Sequence, residues 1–156
     1  MNIFEELNLR AKEGKVIGFT ASTFDLLHAG HAIMLQKSKT LCDILIVGLL
    51  TNPTIDRPDS KNSPIQSILE RYLQLQAIEG VDIIIPFDTE EDLENMIKIL
   101  KPHVRFVGKE YEGTHHTGWD IEGTQIIYNE RSHNYGSTQL RTKIYEQEKS
   151  KSKNKK

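Results

Sequence analysis

Ser22-Thr23-Phe24-Asp25-Leu26-Leu27-His28-Ala29-Gly30-His31 is the stretch on which the reading of this chain turns. Val16-Ile17-Gly18-Phe19-Thr20 precedes it, an apolar run suited to a buried parallel strand over 16–22. Ala32, Ile33, Leu35, Ser38 and Leu41 follow at helical spacing and predict a helix over 30–41. A strand therefore leads through a tight turn into a helix. His28 and His31 stand three apart where that helix begins, a spacing that puts both on one face. Gly30 between them allows another group to approach the backbone closely. The start of a helix carries free N–H groups and the positive end of the dipole, which suits a phosphate. On spacing alone, the two histidines fit either a helix cap or a phosphate-binding pair.

The rest of the chain repeats the alternation. Ile44-Leu45-Ile46-Val47-Gly48-Leu49-Leu50 is nearly all apolar and predicts a strand covered on both faces. Further strands are expected over 81–86, 104–107 and 125–128. Ser63-Pro64 has the form of a helix start, with the helix running to about Glu79 and stopped by Gly80. Thr89 and Asp92 have capping-box spacing and open a helix with Leu93, Met96, Ile97 and Leu100 on one stripe; Lys101-Pro102 ends it. A last helix is expected from Gly136 to about Gln147. Strands alternating with helices predict an α/β, Rossmann-like three-layer fold with a five-stranded, mostly parallel sheet. Ligands of such sheets bind beyond the carboxyl ends of the strands. That rule gathers 21–31, 51–62, 108–118 and 129–138 on one rim.

Composition narrows the function classes. The chain has 156 residues, the size of one domain, and a net charge of −2, so no general attraction to nucleic acid or anionic membrane follows. No apolar run approaches the ~20 residues of a bilayer span, and the N-terminus lacks the apolar core of a signal peptide. Cys42 is the single cysteine, which excludes an internal disulfide; it reads as a small buried hydrophobe. These features point to the cytosol. Residues 2–13 are a short helix candidate with Ile3, Phe4, Leu7 and Ala11 on one face and Gly14 as its stop. Residues 149–156 are Lys, Ser and Asn with nothing to bury, and are expected to be disordered. The expected division is thus an N-terminal extension over 1–14, one domain over 15–148 and a tail over 149–156.

A second polar cluster lies at Asn129-Glu130-Arg131-Ser132-His133-Asn134-Tyr135-Gly136-Ser137-Thr138-Gln139-Leu140. Arg131 leaves the fifth strand, and Ser137-Thr138 open the last helix, where hydroxyls and first-turn amides can hold phosphate oxygens. Together with Thr-Phe-Asp-Leu-Leu-His-Ala-Gly-His, it resembles the paired signatures of the cytidylyltransferase-like nucleotidyltransferases, in particular the glycerol-3-phosphate cytidylyltransferase group. The likeness spans about residues 15–146. Gly136 stands where the family more often has Ser or Thr. Gly108-Lys109-Glu110-Tyr111 occupies the place of the family's Gly-Asp-Asp-Trp, with Lys109 reversing a charge.

The resemblance implies nucleotidyl transfer, with CMP passing from CTP to a small phosphorylated acceptor such as glycerol 3-phosphate. Adenylyl transfer to another sugar phosphate or a pantetheine phosphate, or a non-catalytic nucleotide-binding module, stays open. His28, His31, Lys61 and Arg131 are the catalytic candidates that it implies. Nucleotide contacts are expected from Thr20, Ala21, Ser22, Thr23, Phe24 and Gly30 around the first motif. Arg71, Gly108 and Glu110 are expected further along, with Tyr135, Gly136, Ser137 and Thr138 in the second motif. Mg2+ is expected on the triphosphate. His115-His116 invite a metal reading, but with no Cys or carboxylate at ligand spacing they read as a polar loop, pinned to the core by Trp119 and Ile121. The resemblance also implies a homodimer, and a weak apolar face on the 2–13 helix is consistent with one.

Overall fold

The computed structural model describes residues 2–153. In chain order the elements are α1 (Ile3–Lys12), β1 (Ile17–Ser22), α2 (Ala29–Lys39), β2 (Ile44–Leu50), α3 (Ile68–Gln76), β3 (Ile83–Phe87), α4 (Glu90–Leu100), β4 (Val104–Gly108), β5 (Gln125–Asn129) and α5 (Ser137–Lys153). The five strands form one sheet in the order β3-β2-β1-β4-β5, every pair parallel. The order reverses between β1 and β4, the position where open α/β sheets leave a crevice. Thr20 Oγ1 donates to the Phe106 carbonyl at 3.2 Å across that junction.

Side chains alternate between the two faces of the sheet, so each face has its own core. Ile17, Phe19, Ile44 and Ile46 pack under Leu93, Met96, Ile97 and Leu100 of α4, with Leu7 and Ala11 of α1. Leu45, Val47, Val104 and Phe106 pack on the other face with Leu35 of α2 and Leu75 of α3. The α1 helix thus docks on its own domain through Leu7, while Ile3 and Phe4 stay exposed. Its N-cap is Asn2, in a capping box with Glu5.

Four sequence readings are corrected. The third helix begins at Ile68 under a Ser67–Glu70 capping box rather than at Ser63-Pro64. Asp25 is the reason: its buried carboxylate accepts the N–H groups of Ile65 and Gln66 at 2.9 Å each and holds that segment on the β1–α2 turn. The last helix continues through Lys153, so 149–153 is helical; residues 154–156 lie outside the described residues. Trp119 does not pin its loop to the core. It is 47% exposed and stacks on His115 at 4.5 Å, while Ile121 does pack against the core. Cys42 is half-buried, its thiol pushed up chiefly by burial.

Candidate active site

The β1–α2 turn is held in a conformation the chain does not adopt freely. Phe24 and Leu26 have φ of 50° and 51°, the left-handed region, which costs an L residue about 1–2 kcal/mol. Four contacts impose it. Phe24 is buried in the core. Leu26 N–H donates to Gln66 Oε1 at 2.8 Å. Arg71 Nη1 donates to the Thr23 carbonyl at 2.8 Å, and Asp25 pairs with Arg141 at 2.6 Å.

That turn delivers His28 as the N-cap of α2. His28 Nδ1 accepts the N–H of Gly30 at 3.1 Å and of His31 at 3.4 Å, and His31 Nδ1 accepts the N–H of His28 at 3.4 Å. The two rings stack with centroids 3.8 Å apart and planes 21° apart. The cap and the functional pair are therefore one structure. Because each Nδ1 accepts, each neutral ring carries its proton on Nε2, on the side away from the helix's first turn. Burial pushes the His31 imidazole down to about 3, with His28 and Arg131 adding to the shift. Burial lowers His28 as well, followed by the charges of Arg131 and His133. Both rings are thus neutral hydrogen-bond donors at neutral pH.

The second motif closes over the first. A Cβ on Gly30 would stand 2.9 Å from His133 Cε1, 2.9 Å from the Tyr135 carbonyl oxygen and 3.0 Å from His28 Cε1. Only glycine lets the 131–136 loop lie this near. His133 stacks on Tyr135 at 4.9 Å, and its Nδ1 accepts the Tyr135 N–H at 3.2 Å, so it too carries its proton on Nε2. Ser137 Oγ donates to the Asp25 carbonyl at 3.0 Å and Arg141 reaches the Asp25 carboxylate, which ties the start of α5 to the β1–α2 turn.

A cavity of about 790 Å³ opens over this junction. Of the residues singled out in the sequence, Thr20, Ala21 and Ser22 line it from β1 and Thr23 from the turn after it, with Gly30 and His31 from α2. Gly108 lines it from the end of β4, and Lys61, Glu110 and Arg131 from the segments after β2, β4 and β5. The remaining expected residues stand off the wall. His28 adjoins it through its stack on His31. Phe24 packs in the core, and its ring lies 5.2 Å from that of His31. Tyr135 abuts Gly30, and Gly136, Ser137 and Thr138 form the start of α5 behind that contact.

Arg71 is corrected from a binding residue to a positioning one. It is 2% exposed, and its donors go to the carbonyls of Gln66, Thr23, Leu50 and Thr51 at 3.1, 2.8, 2.8 and 2.7 Å. It ties the carboxyl ends of β1 and β2 to the entry of α3. The sequence reading missed Asp25, His133 and Arg141 as site-building residues, although all three lie within or beside the two motifs. It also missed Glu90, Arg105, His116 and Thr117, which line the far side of the cavity. Glu90 and Arg105 have no mark in their local sequence, and His116-Thr117 read only as part of a polar loop, since these three segments converge only through the fold.

The arrangement offers imidazole N–H donors, one exposed guanidinium and a helix start around one small volume. This can neutralise a polyphosphate. The family model described as cytidylyltransferase-like matches residues 19–144. The chain belongs to the cytidylyltransferase-like family, a family of nucleotidyltransferases. Among curated relatives it is 38% identical over 122 residues to the bifunctional protein HldE of a Nitratiruptor species, covering 76% of this chain and 26% of that protein. It is 41% identical over 108 residues to the HldE of Wolinella succinogenes, covering 69% and 23%. The chain thus spans about a quarter of the length of these relatives. Among solved structures, the lipopolysaccharide core biosynthesis protein from Thermoplasma volcanium superposes with a TM-score of 0.54 at 22% identity, covering 85% of this chain and 88% of that one. Pantothenate synthetase from Thermus thermophilus gives 0.53 at 15% identity, over 83% and 60%. These structural likenesses concern the fold.

Proposed function

We propose that this cytidylyltransferase-like chain transfers a nucleoside monophosphate from a nucleoside triphosphate to a small phosphorylated acceptor and releases pyrophosphate. The observation that carries this reading is the reciprocal His28–His31 pair at the start of α2, whose rings are held neutral by burial and by the charge of Arg131. The donor is ATP and the acceptor a sugar phosphate. Likeness to the bifunctional HldE proteins supports adenylyl transfer over the CTP and glycerol 3-phosphate that the sequence resemblance implied.

The acceptor phosphate is already ionised at neutral pH, so attack on the α-phosphorus needs no general base. What the protein supplies is alignment and charge neutralisation. His28 and His31 donate from Nε2 to the α-phosphate oxygens as charge builds there. Arg131 and the first-turn amides of α5, with Thr138, hold the outer phosphates. Ser137 donates its hydroxyl proton to the Asp25 carbonyl, so it positions the helix start. Lys61 is exposed, lines the cavity and bridges acceptor and donor phosphates as a mobile point charge. Mg2+ enters with the triphosphate substrate and neutralises its outer charge. The Asp25 carboxylate is taken up by two amides and Arg141, so it is not offered as a metal ligand.

A pyrophosphate-release screen of ATP, CTP, GTP and UTP against phosphorylated sugars and alcohols tests the reading. Turnover is expected with ATP and a sugar phosphate. Turnover with CTP and glycerol 3-phosphate alone would overturn the substrate assignment, and no release from any pair would overturn the reaction.

A further inference from the structure

We propose that His133 is a third phosphate-binding imidazole, carried by the loop that closes over α2, and that its Nε2–H contacts the departing pyrophosphate. The assignment to pyrophosphate rests on the nucleotidyl-transfer reading above; the pairing of His133 with His28 around an anion does not. His133 lies between β5 and α5 and lines the cavity together with His31 and Arg131. Its Nδ1 accepts the Tyr135 N–H at 3.2 Å, and its ring stacks on Tyr135 with centroids 4.9 Å apart and planes 21° apart. Clip and stack fix the ring. Because Nδ1 accepts, the proton of the neutral ring sits on Nε2.

The loop and the helix meet at Gly30. A single point, where a Cβ on Gly30 would stand, is 2.9 Å from His133 Cε1 and 3.0 Å from His28 Cε1. In an imidazole Cε1 is bonded to Nε2, so both free N–H groups begin one bond away from carbons that crowd the same small volume. His28 has the same tautomer, since its Nδ1 accepts the N–H groups of Gly30 and His31. Among the described residues neither Nε2–H has an acceptor. Two donors cannot satisfy each other, and one acceptor lying between them satisfies both. The start of α2 adds the positive end of its dipole, and Arg131 stands two residues before His133. The acceptor that fits this field is an anion with an oxygen able to take two hydrogen bonds, which describes a phosphate.

Position selects the phosphate. His28 stacks on His31 and meets His133 at Gly30, so three imidazoles run from the helix to the loop. The helix pair is assigned to the α-phosphate, and Arg131, on the loop, to the outer phosphates. His133 belongs to the loop and adjoins the helix pair, which puts its N–H nearest the oxygen that joins the α- and β-phosphorus. In the transfer the bond from the α-phosphorus to that oxygen breaks, while the acceptor oxygen bonds the α-phosphorus. The electron pair stays on the bridging oxygen, which leaves as part of pyrophosphate. His133 keeps its proton and supplies a hydrogen bond that strengthens as charge builds on the leaving group. Held in advance by Tyr135, it need not reorganise at that moment.

Two substitutions in the full chain separate donation from loop building. His133→Asn keeps an oxygen for the Tyr135 N–H, in the Asx turn natural to that spacing, and loses the donor at Nε2. His133→Gln carries an amide N–H out to the place of Nε2. Calorimetry with inorganic pyrophosphate and with AMP, and steady-state pyrophosphate release, read each variant; melting curves show that it is folded. His133→Asn is expected to weaken pyrophosphate binding about tenfold, with AMP affinity within about twofold, and to lower kcat roughly a hundredfold. His133→Gln is expected to recover most of both. Nitrogen NMR of the wild type needs no variant: pyrophosphate should shift Nε2 of both His28 and His133. A shift at His28 alone, wild-type pyrophosphate binding or turnover in His133→Asn, equal losses for pyrophosphate and AMP, or a His133→Gln poorer than His133→Asn would each overturn the assignment. The expected contrast between the two variants in pyrophosphate binding, in a chain that releases no pyrophosphate from any substrate pair, would support the site and contradict only the reaction.

Discussion

His28 and His31 each accept the other's backbone N–H at 3.4 Å through Nδ1, so one reciprocal pair both caps α2 and fixes the ring protons on Nε2. A helix cap and a pair of phosphate donors are usually separate demands on a sequence. Here the four residues from His28 to His31 meet both, and Gly30 keeps the space above them narrow enough for the second motif to close.

The titration of His31 follows directly. Its folded value is pushed down to about 3, against 6.5 for the free side chain. Between those two values the unfolded chain binds a proton that the folded chain refuses, so stability falls as pH drops from 6.5 toward 3 and is unaffected by this group above 6.5. The Cε1–H resonance of His31 should therefore hold still down to about pH 4. His31→Gln should flatten the stability profile across the same window. A midpoint for His31 near 6.5 would contradict the neutral-donor assignment.

Gly30→Ala should damage function more than stability. The added methyl meets the Tyr135 carbonyl, which is backbone and yields only if the 131–136 loop lifts. Triphosphate affinity and turnover should fall together, with kcat/KM down roughly a hundredfold, as expected when phosphate-holding groups are displaced by about an ångström. Steady-state kinetics with melting curves on the same sample measure both. Near-wild-type kcat/KM would show that the loop does not need its present seat.

Arg71→Met should behave in the opposite sense, as a loss of stability. It leaves the carbonyls of Gln66, Thr23, Leu50 and Thr51 without their shared donor. About 2–4 kcal/mol should be lost, read as a lowered urea midpoint at unchanged slope. Arg71→Lys should recover little of it, because one ammonium does not span four carbonyls as a planar fork does.

These three residues show where the sequence was legible. The strand-turn-helix around His28, the alternation of elements and the Thr89–Asp92 capping box are local patterns, and the structure has them where periodicity puts them. The start of α3 was not legible. Ser63-Pro64 and Ser67–Glu70 are both good N-terminal signals, and the choice is made by the Asp25 carboxylate, 40 and 41 residues away from the amides that it takes. The resemblance implies Arg71 at the site, but only the carbonyls around it show that it acts on the chain rather than on a ligand. Trp119 looked like an anchor by composition and turns outward onto His115. Glu90 and Arg105 carry no local signal, and His115-His116 read as a polar loop, since their meeting depends on β3, β4 and the following loop ending at one rim.

Arg131→Ala and Thr138→Ala should weaken triphosphate binding more than monophosphate binding. Both residues are exposed and stand at the β5–α5 end of the site, where the outer phosphates are assigned. Calorimetry with ATP and AMP compares the two directly. Equal losses for both nucleotides would move these residues to the α-phosphate or the nucleoside.

The stacked histidines are assigned to transfer at the α-phosphorus, and phosphorus NMR of ATP with a sugar phosphate reads that transfer. Pyrophosphate and a sugar-linked diphosphodiester should appear together in equal amounts, and His28→Ala or His31→Ala should slow both by roughly 10²–10⁴ in a chain that melts normally. Release of ADP and orthophosphate in place of pyrophosphate, or undiminished turnover in both variants, would contradict it.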